Sequence, residues 1–524
     1  MTKKRFLLLG LDGFEITLAE RLMAEGRMPY LAGLRDRSRR YQLDHGAAKY
    51  TGLAWEHVST AKTPEALNRH SAVAFDPLTY SVSQKPTATK PVFADFKSRC
   101  LLVDVPYCDL DLAPEAQGIA RWGAHDPGAP RSCRPESLYR EMRWRFGNYP
   151  AEEHIYAMVW PSVVETEKAG RALVRAVRRR ARVSEWLMSK RCSDWELAVV
   201  TVSEPHSAIE PLWHGVDQMH PLHAHPSAPV AGHWLEKVYE ETDALIGRLK
   251  AAAPDAYIGI FAMHGMGSNG ADVPAMVLLP ELLHRKTFGK AYMKDIPWAD
   301  TLPDGTPSLA DGETWHDAMR ARIPDADLAD VERALSKHKV TVADNLVPQD
   351  IDWQPAARYR PYWPAMEAFA MPSFYDGRIR LNLAGREAGG MVSPNRYQHL
   401  IDELKALLRE CRCPVTGDAV VEGFSQPETS PMDVGPTESD LYIYWKGLPR
   451  GLVHPELGTI GPIPFRRAGG HSGDHGFLYL SGKDLRAGDF GEVSSFDVMP
   501  TVMDILGEDI AGTSGQSLLV KAQT

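Results

Sequence analysis

Four predominantly apolar, strand-like runs lie in the first half of the chain, separated by longer stretches with helical periodicity. The apolar runs are Phe6–Leu11, Leu101–Val105, Leu197–Val202 and Tyr257–Ala262. The helix candidates are Phe14–Glu25, Glu167–Ser189 and Gly232–Ala252. Strands that are apolar at every position are covered on both faces, which is typical of parallel sheets. The pattern therefore predicts an α/β fold with a mostly parallel central sheet and helices on both faces.

The pattern changes between residues 290 and 365, where Pro, Asp and Trp are frequent and one helix is predicted at Leu328–Lys337. After this stretch, an Asp-Gly pair between alternating residues predicts a β-hairpin within Ala368–Leu383. Later strands are predicted at Leu441–Trp445 and Phe477–Leu480. We therefore expect a core formed by residues 1–289 and 366–524, with residues 290–365 inserted as a cap near the active site.

Composition narrows the class of protein. With 524 residues, of which 44% are hydrophobic and 24% charged, the chain has ample material for a large core. A net charge of −9 argues against a general affinity for nucleic acid. The N-terminal apolar run stops at Asp12 with no small-residue cleavage site after it, and no run is long enough to span a membrane. Six cysteines without a CxxC pair fit a reduced compartment, so we expect a soluble cytoplasmic protein.

One basic run departs from the acidic balance of the chain. Arg178, Arg179 and Arg180 lie in the helix candidate that begins at Glu167. Because a charged run in a polar helical stretch usually forms a solvated face, we expect these side chains to face solvent.

Two polar residues stand where a parallel sheet presents its ligands. Asp12 directly follows the first strand, and open α/β sheets bind ligands beyond the carboxyl ends of their strands. The carboxylate fits a metal ligand and the N-cap of the next helix equally well. Thr51 lies at the predicted start of a helix, where it is either an N-cap or a nucleophile activated by the helix N-terminus and a metal. Considered alone, Thr51 favours the cap.

Histidines follow two of the other strands. His264 stands at the end of the run Tyr257–Ala262 and is followed by glycine, a common arrangement for a metal ligand at the edge of a parallel sheet. His206, Glu210 and His214 are spaced by four residues, so that a helix places them on one face, although Pro211 is expected to kink it. A polar helix start at the surface is the alternative; the strong strand before it favours a ligand site.

A third candidate segment is rich in glycine. The stretch 469–476 reads Gly-Gly-His-Ser-Gly-Asp-His-Gly and contains His471, Asp474 and His475. Glycines let the backbone approach a ligand closely, and they also suit an exposed turn. Two histidines and an aspartate in one turn favour a functional interpretation.

In their chain order, these segments resemble the type I phosphodiesterase/nucleotide pyrophosphatase branch of the alkaline phosphatase superfamily. The segment Met263-His264-Gly265-Met266 resembles the Asp-His-Gly-Met signature of that superfamily, with Met263 in the place of the aspartate. Thr51 matches a Thr or Ser nucleophile followed by a proline thirteen residues on, here Pro64. His471 resembles the histidine of a Gly-x-His-Gly element, and the stretch 497–507 resembles the closing helix. The resemblance covers most of the chain and implies an alkaline phosphatase-like fold.

The resemblance also implies a centre for one or two divalent cations. One cation is held in the family by the first-strand aspartate, the nucleophile and an Asp-His pair; the matching residues here are Asp12, Thr51 and His264. The other is held by residues that match His206, Glu210 and His471, with the family's Asp and His exchanged at the first two positions. Further candidate ligands are His214, Asp474 and His475. Zinc is the favoured metal, with manganese and iron open. Because a thioether is a poor ligand for these cations, Met263 implies that one site is weakened.

Three residues are candidates for substrate binding. His125 lies in a loop and is either a pocket residue or part of an ordinary turn. Arg378 and Arg380 occupy alternate positions of a predicted strand. A guanidinium matches the geometry of phosphate and carboxylate, but alternate strand positions usually face solvent.

The implied activity is hydrolysis of a small anionic phosphorus ester, such as a phosphodiester or a phosphonate ester. Thr51 is the implied nucleophile, which forms a phospho-threonine that water then releases. Met263 supports two alternatives on the same fold: a non-catalytic binding protein, or a single-metal transferase or hydrolase of another ester such as sulfate. The segment after Thr51 lacks the Cys/Ser-x-Pro-x-Arg motif of sulfatases, which disfavours sulfate. The sequence leaves the substrate and the oligomeric state open.

Overall fold

The computed structural model describes residues 4–84, 89–125, 130–156, 162–335 and 351–519. Its strands are β1 Phe6–Leu11, β2 Arg39–Asp44, β3 Val73–Asp76, β4 Ser81–Gln84, β5 Cys100–Val103, β6 Gln117–Ala120, β7 Ser132–Arg134, β8 Leu197–Val202, β9 Tyr257–Ala262, β10 Gly267–Ser268, β11 Asp300–Thr301, β12 Pro307–Ser308, β13 Ala368–Ala370, β14 Gly377–Leu381, β15 Val421–Ser425, β16 Leu441–Trp445, β17 Leu452–His454, β18 Gly458–Ile460, β19 Gly469–Gly470, β20 Gly476–Ser481 and β21 Gly488–Ser494. Its α-helices are α1 Ile16–Ala24, α2 Pro29–Arg35, α3 Ala54–Thr60, α4 Pro64–Leu67, α5 Leu138–Phe146, α6 Val163–Trp186, α7 Glu204–Leu212, α8 Ala228–Ala251, α9 Leu279–Phe288, α10 Trp315–Arg322, α11 Leu328–Leu335, α12 Tyr397–Glu410 and α13 Val498–Leu506.

A nine-stranded sheet with the order β21-β2-β20-β9-β1-β8-β5-β6-β7 forms the centre of the molecule. The strands β9, β1, β8, β5 and β6 are parallel neighbours, and β1 is buried at every position between β8 and β9. The apolar runs predicted for β1, β8 and β9 match the observed strands residue for residue. The predicted α/β fold with a mostly parallel sheet is confirmed. Because parallel strands end at the same edge, the residues that follow β1, β8 and β9 are brought together there.

Helices cover both faces of this sheet. Leu7 and Leu9 of β1 face a core shared with α1, α6 and α8, whereas Phe6 and Leu8 face a second core that contains residues of α3 and α13. This alternation is the period of two expected of a strand. Each fully buried side chain of this kind contributes about 1.5–3 kcal/mol to the free energy of unfolding. None of the helices in the described ranges has both the length and the apolar character needed to cross a membrane.

The basic run on α6 differs in part from expectation. Arg178 is exposed, but Arg180 is fully buried, so the prediction of a solvated face is wrong for Arg180. Arg180 lies at helical spacing from buried Val177 and Ser184, which places it on the packed face of the helix. Its guanidinium is held between two acids that are described with the site.

A second region contains the four-stranded antiparallel sheet β13-β14-β16-β15. β13 and β14 pair antiparallel, which confirms the predicted hairpin, although residues 371–376 form a longer turn than two residues. The predicted helix Leu328–Lys337 is present as α11, and its last two positions lie outside the described residues. Trp315 of α10 and Trp363 share an apolar core with Phe369 of β13. The described part of residues 290–365 therefore packs on this second sheet, and the boundaries given to the insertion stay a prediction.

Candidate metal centre

A cavity of about 480 Å³ lies at the carboxyl edge of the central sheet. Asp12, His206 and His264, which follow β1, β8 and β9, line it together. Its other polar lining residues are Lys49, Gln84, His125, His316, Arg466, Arg467 and His471. Its aromatic walls are Trp55, Tyr107, Tyr156, Trp353, Phe374 and Tyr375. Among the described residues, the cavity lining thus combines a cluster of imidazoles with one lysine, two arginines and one acid.

His206 is the centre of the imidazole cluster. Its Nδ1 lies 3.1 Å from Oδ2 of Asp12 and 2.8 Å from Nδ1 of His125. Its Nε2 lies 3.2 Å from Oε1 of Glu210 and 3.1 Å from Nε2 of His471. The ring therefore belongs to two groups of potential ligands, Asp12–His125–His206 and His206–Glu210–His471, and the ligand atoms of each group lie within 4.8 Å of one another.

These distances and donor types fit a divalent transition metal. Ligand atoms of a tetrahedral zinc site lie about 3.3 Å apart, because each sits about 2.0–2.1 Å from the ion. Burial lowers the pKa values of His125, His264 and His471, and the neutral imidazole is the form that binds a metal. Neutral rings that approach one another through their nitrogens cannot all be donors to each other, whereas a shared cation satisfies several of them at once.

Asp12 is fixed by a tryptophan and by a close helix. Nε1 of Trp55 donates to Oδ1 of Asp12 at 2.9 Å, which leaves Oδ2 directed at His206. Gly13 has φ +57°, and a Cβ on it would lie 2.6 Å from the Cβ of His206. Only glycine therefore permits the start of α7 to approach the end of β1 this closely.

The loop that carries His264 is held by Glu15. Oε2 of Glu15 accepts a hydrogen bond from the backbone N–H of Met266 at 2.7 Å, and its Oε1 accepts one from the N–H of Thr17 at the start of α1. A Cβ on Gly265 would lie 2.7 Å from Oε2 of Glu15, so a larger residue there would displace this carboxylate. His264 in turn reaches His471, with 3.3 Å between Nε2 and Nδ1.

His125 was expected at most to contact the substrate, and the structure places it among the candidate ligands. It follows β6, a parallel strand of the same sheet, so its position after a strand end was an available but weak signal. Asp104 holds its loop by accepting hydrogen bonds from the N–H groups of Trp122 and Gly123, both at 2.7 Å. Arg180 is the buried counter-ion of Asp104 at 2.9 Å.

Arg180 joins that loop to α7. Its Nε lies 2.8 Å from the carboxylate of Glu204, which also accepts a hydrogen bond from the hydroxyl of Tyr149 at 3.1 Å. Asp104, Arg180 and Glu204 are all fully buried. The Arg180 centre, as we call these three residues, therefore ties the loop of His125 to the helix of His206.

Met263 and Thr51 are not among the described residues that line the cavity. The side chain of Met263 packs in the apolar core with Trp55 and Phe261. The hydroxyl of Thr51 donates to the carbonyl of Ala48 at 2.8 Å and accepts from the N–H of Leu53 at 3.1 Å. Among the described residues that line the cavity, its neighbours Lys49 and Gly52 appear and Thr51 does not. The role of Thr51 as nucleophile and metal ligand stays a prediction.

Glu210 has a partner that the sequence analysis missed. Its fully buried carboxylate contacts Nη1 of Arg467. Nε of Arg467 also lies 2.8 Å from Oδ2 of Asp272, which accepts from Nη1 of Arg466 at 2.9 Å. Burial lowers the pKa of Arg467 to about 9, so the guanidinium is charged at neutral pH. The available signal was the pair of arginines directly before the glycine-rich His471 segment.

The remaining candidates lie outside the cluster. His214 falls in a 3₁₀ turn after α7, where its Nε2 lies 3.0 Å from the hydroxyl of Ser227. Arg378 pairs with Asp376, and Arg380 pairs with Glu387; both are buried in the second region and are absent from the described cavity lining. His475 lines a separate surface groove and Asp474 is exposed. Of the two late histidines, the structure therefore brings His471 to the cluster.

The chain is similar to solved structures at low sequence identity. No protein-family model and no curated protein match the chain. Among solved structures, a phosphonoacetate hydrolase from Sinorhizobium meliloti 1021 is 13% identical with a TM-score of 0.49, over 96% of this chain and 95% of that chain. The murine and human ectonucleotide pyrophosphatase/phosphodiesterase 5 are each 11% identical, with TM-scores of 0.49 and 0.48, over 98% of this chain and 98% and 97% of theirs. TM-scores below 0.5 leave the substrate and the ligands to be argued from the residues of this chain.

Proposed function

We propose that this protein is a metal-dependent hydrolase of small anionic phosphorus esters. The observation that carries the proposal is the position of His206, whose two ring nitrogens each face a carboxylate and a second imidazole. Lys49, Arg466 and Arg467 line the same cavity and supply the positive charge that an anionic ester requires. Zinc is the metal that this donor set suits best, with manganese and iron as alternatives.

The residues of the chain have separate tasks in this proposal. Asp12, His125, His206, Glu210 and His471 are the candidate ligands, and a bound cation would polarise the phosphoryl oxygens and promote formation of the nucleophile. The guanidinium groups of Arg466 and Arg467 neutralise charge on the phosphoryl group through directed N–H donors. The aromatic walls exclude water and pack against the organic part of the ester.

Thr51 is the proposed nucleophile. Its Oγ1 forms a bond to phosphorus while the bond from phosphorus to the departing alcohol breaks, and the proton of Thr51 ends on that alcohol through solvent. Water then attacks the phospho-threonine, which restores Thr51 and releases the product. A rotation of the Thr51 side chain away from the carbonyl of Ala48 is required first, because that bond now occupies its hydroxyl.

One alternative is supported by a specific observation. The apolar packing of Met263 and the local hydrogen bonds of Thr51 favour a protein that binds an anionic phosphorus ligand without turning it over. The cluster around His206 would then serve affinity alone.

The test is hydrolysis of aryl phosphodiesters and aryl phosphomonoesters by the protein loaded with zinc or manganese. We expect turnover that chelation abolishes and that His206→Ala lowers at least 10³-fold, about 4 kcal/mol of transition-state stabilisation. Thr51→Ala should cause a similar loss, and the matched variant Thr51→Ser, which keeps a hydroxyl, should retain part of the activity.

Three outcomes distinguish the hydrolase from the binding protein and test the role of Thr51. Full activity of Thr51→Ala, with loss in His206→Ala, removes the phospho-threonine step and keeps the hydrolase. Tight binding of a phosphonate by the loaded protein without any turnover supports the binding protein. A protein that takes up neither metal nor phosphonate contradicts both.

A further inference from the structure

Glu210 offers its carboxylate to two different kinds of cation. It faces His206 and His471 in one of the two ligand groups, and it also contacts Nη1 of Arg467. Glu210 is fully buried and Arg467 is 4% exposed, so water does not screen their charges from each other. A guanidinium therefore already lies against the carboxylate on which a metal at this group would depend.

Arg467 is anchored and cannot move away without cost. Its Nε is 2.8 Å from Asp272, and the same carboxylate oxygen accepts from Arg466 at 2.9 Å. Two guanidinium groups thus share Asp272, and Glu210 is the acid that balances the remaining positive charge. A divalent ion between His206, Glu210 and His471 would sit directly beside Arg467, and the repulsion between the two cations would oppose its binding.

The other ligand group differs in the partners of its carboxylate. Asp12 is bound by the neutral indole N–H of Trp55 and approached by His206, and no Lys or Arg nitrogen of the described residues pairs with it. Together with His125 and His206 it offers one carboxylate and two imidazoles, a common ligand set for a divalent metal with an open position for substrate.

We propose that Arg467 takes the place of one cation, so that the protein binds a single metal ion at Asp12, His125 and His206. The proposal rests on the proposed hydrolase function and deepens it: the second positive charge at the phosphoryl group comes from a planar guanidinium of the chain itself. Arg467 lines the cavity together with His206 and His471, so that its guanidinium would lie next to an anion bound there.

The test is metal stoichiometry of the full chain, measured by elemental analysis and by calorimetric titration with Zn²⁺. We expect one ion per wild-type chain. Arg467→Met, which keeps an unbranched apolar stem and removes the charge, should bind a second ion through Glu210. The matched control is Arg466→Met, which shares Asp272 and is not paired with Glu210, and it should still bind one ion.

Two variants locate the ion without relying on Arg467. His125→Ala should weaken Zn²⁺ binding at least 100-fold, and Glu210→Gln should change it less than tenfold. The double variant Arg467→Met/Glu210→Gln should return to one ion. Circular dichroism and thermal unfolding identify any variant that fails to fold; His125→Ala and Glu210→Gln decide the question if Arg467→Met does so.

Different outcomes would contradict the proposed role of Arg467 and the proposed hydrolase function. Two ions in the wild-type chain, or a greater loss of Zn²⁺ affinity in Glu210→Gln than in His125→Ala, overturn the role of Arg467 and leave the hydrolase proposal intact if turnover persists. A wild-type chain that binds no ion and hydrolyses no phosphorus ester overturns both proposals.

Discussion

Two buried arginines of this protein each lie between an aspartate and a glutamate, but the two ion-pair clusters have different surroundings. Arg180 lies between Asp104 and Glu204, and Arg467 lies between Asp272 and Glu210. The acids of the Arg180 centre also accept hydrogen bonds from backbone N–H groups and from Tyr149, and Arg180 is absent from the described cavity lining. Arg467 lines the cavity beside the imidazole cluster. The same ion-pair chemistry therefore joins structural elements at one place and presents charge to a ligand at the other.

The largest expected effect on stability comes from the Arg180 centre. Arg180→Met leaves Asp104 and Glu204 buried without a counter-ion, which should lower the free energy of unfolding by about 3–5 kcal/mol. Arg178→Met, on the exposed side of the same helix, should change it by less than about 0.5 kcal/mol. Urea unfolding of both variants measures the difference, and equal effects would show that burial of Arg180 does not matter.

Arg467→Met should destabilise the protein less than Arg180→Met does. Asp272 keeps Arg466, and Glu210 keeps His206, so we expect a loss of about 1–3 kcal/mol. Binding of a phosphonate inhibitor should weaken more than tenfold in Arg467→Met and remain detectable in any folded fraction of Arg180→Met. The reverse order in both measurements would contradict the division between a structural and a ligand-facing arginine.

As the pH falls, we expect the segment around Arg467 to unfold locally before the segment around Arg180. His220 packs 4.8 Å from Phe465, next to the two arginines, and burial lowers the pKa of His220 to about 4 and of His214 to about 3. Both values lie below 6.5, so the unfolded chain binds these protons more readily, and stability present above pH 6.5 is lost as pH falls towards 3.

By pH 5 each of the two histidines should cost about 1–2 kcal/mol, at about 1.4 kcal/mol per pH unit. Hydrogen exchange should therefore rise first in residues 465–471 and later around Asp104. His214→Asn should flatten the pH dependence of unfolding between pH 6.5 and 5. Uniform exchange across both regions would contradict this sequence of events.

The smallest expected effect concerns Trp55, whose neutral indole donates a hydrogen bond to Asp12 of the group Asp12–His125–His206. Trp55→Phe removes the N–H that Asp12 accepts and should cost about 1 kcal/mol of stability, with Zn²⁺ affinity reduced about tenfold. His57→Asn, on the same helix and outside the cavity lining, is the control for metal binding. An unchanged affinity in Trp55→Phe would show that the orientation of Asp12 does not depend on this bond.

Local sequence patterns were sufficient to predict the central strands of the sheet and the residues that follow them. Continuous apolar runs predicted β1, β8 and β9 to the residue, and Asp12, His206 and His264 follow from their ends. The prediction for β5 extended two residues too far, because Asp104 adopts a positive φ of 60° that ends the strand.

The rest of the site depends on packing between distant segments. Arg467 meets Asp272 across 195 positions of sequence, and no local pattern specifies that contact. His214 was predicted to share a helical face with Glu210. It does not, because α7 ends at Leu212, just after Pro211, and His214 lies in the next turn. The orientation of the Thr51 hydroxyl is a rotamer choice that a motif does not encode.

The shared ring of His206 makes the two ligand groups mutually dependent. An imidazole that coordinates through one nitrogen keeps a proton on the other, but a ring that bridges two ions must become an imidazolate. Occupation of the second group would therefore release one more proton than occupation of the first, and alkaline conditions would favour it. The number of protons released per bound ion, measured in weakly buffered solution, would show whether His206 coordinates one metal ion or bridges two.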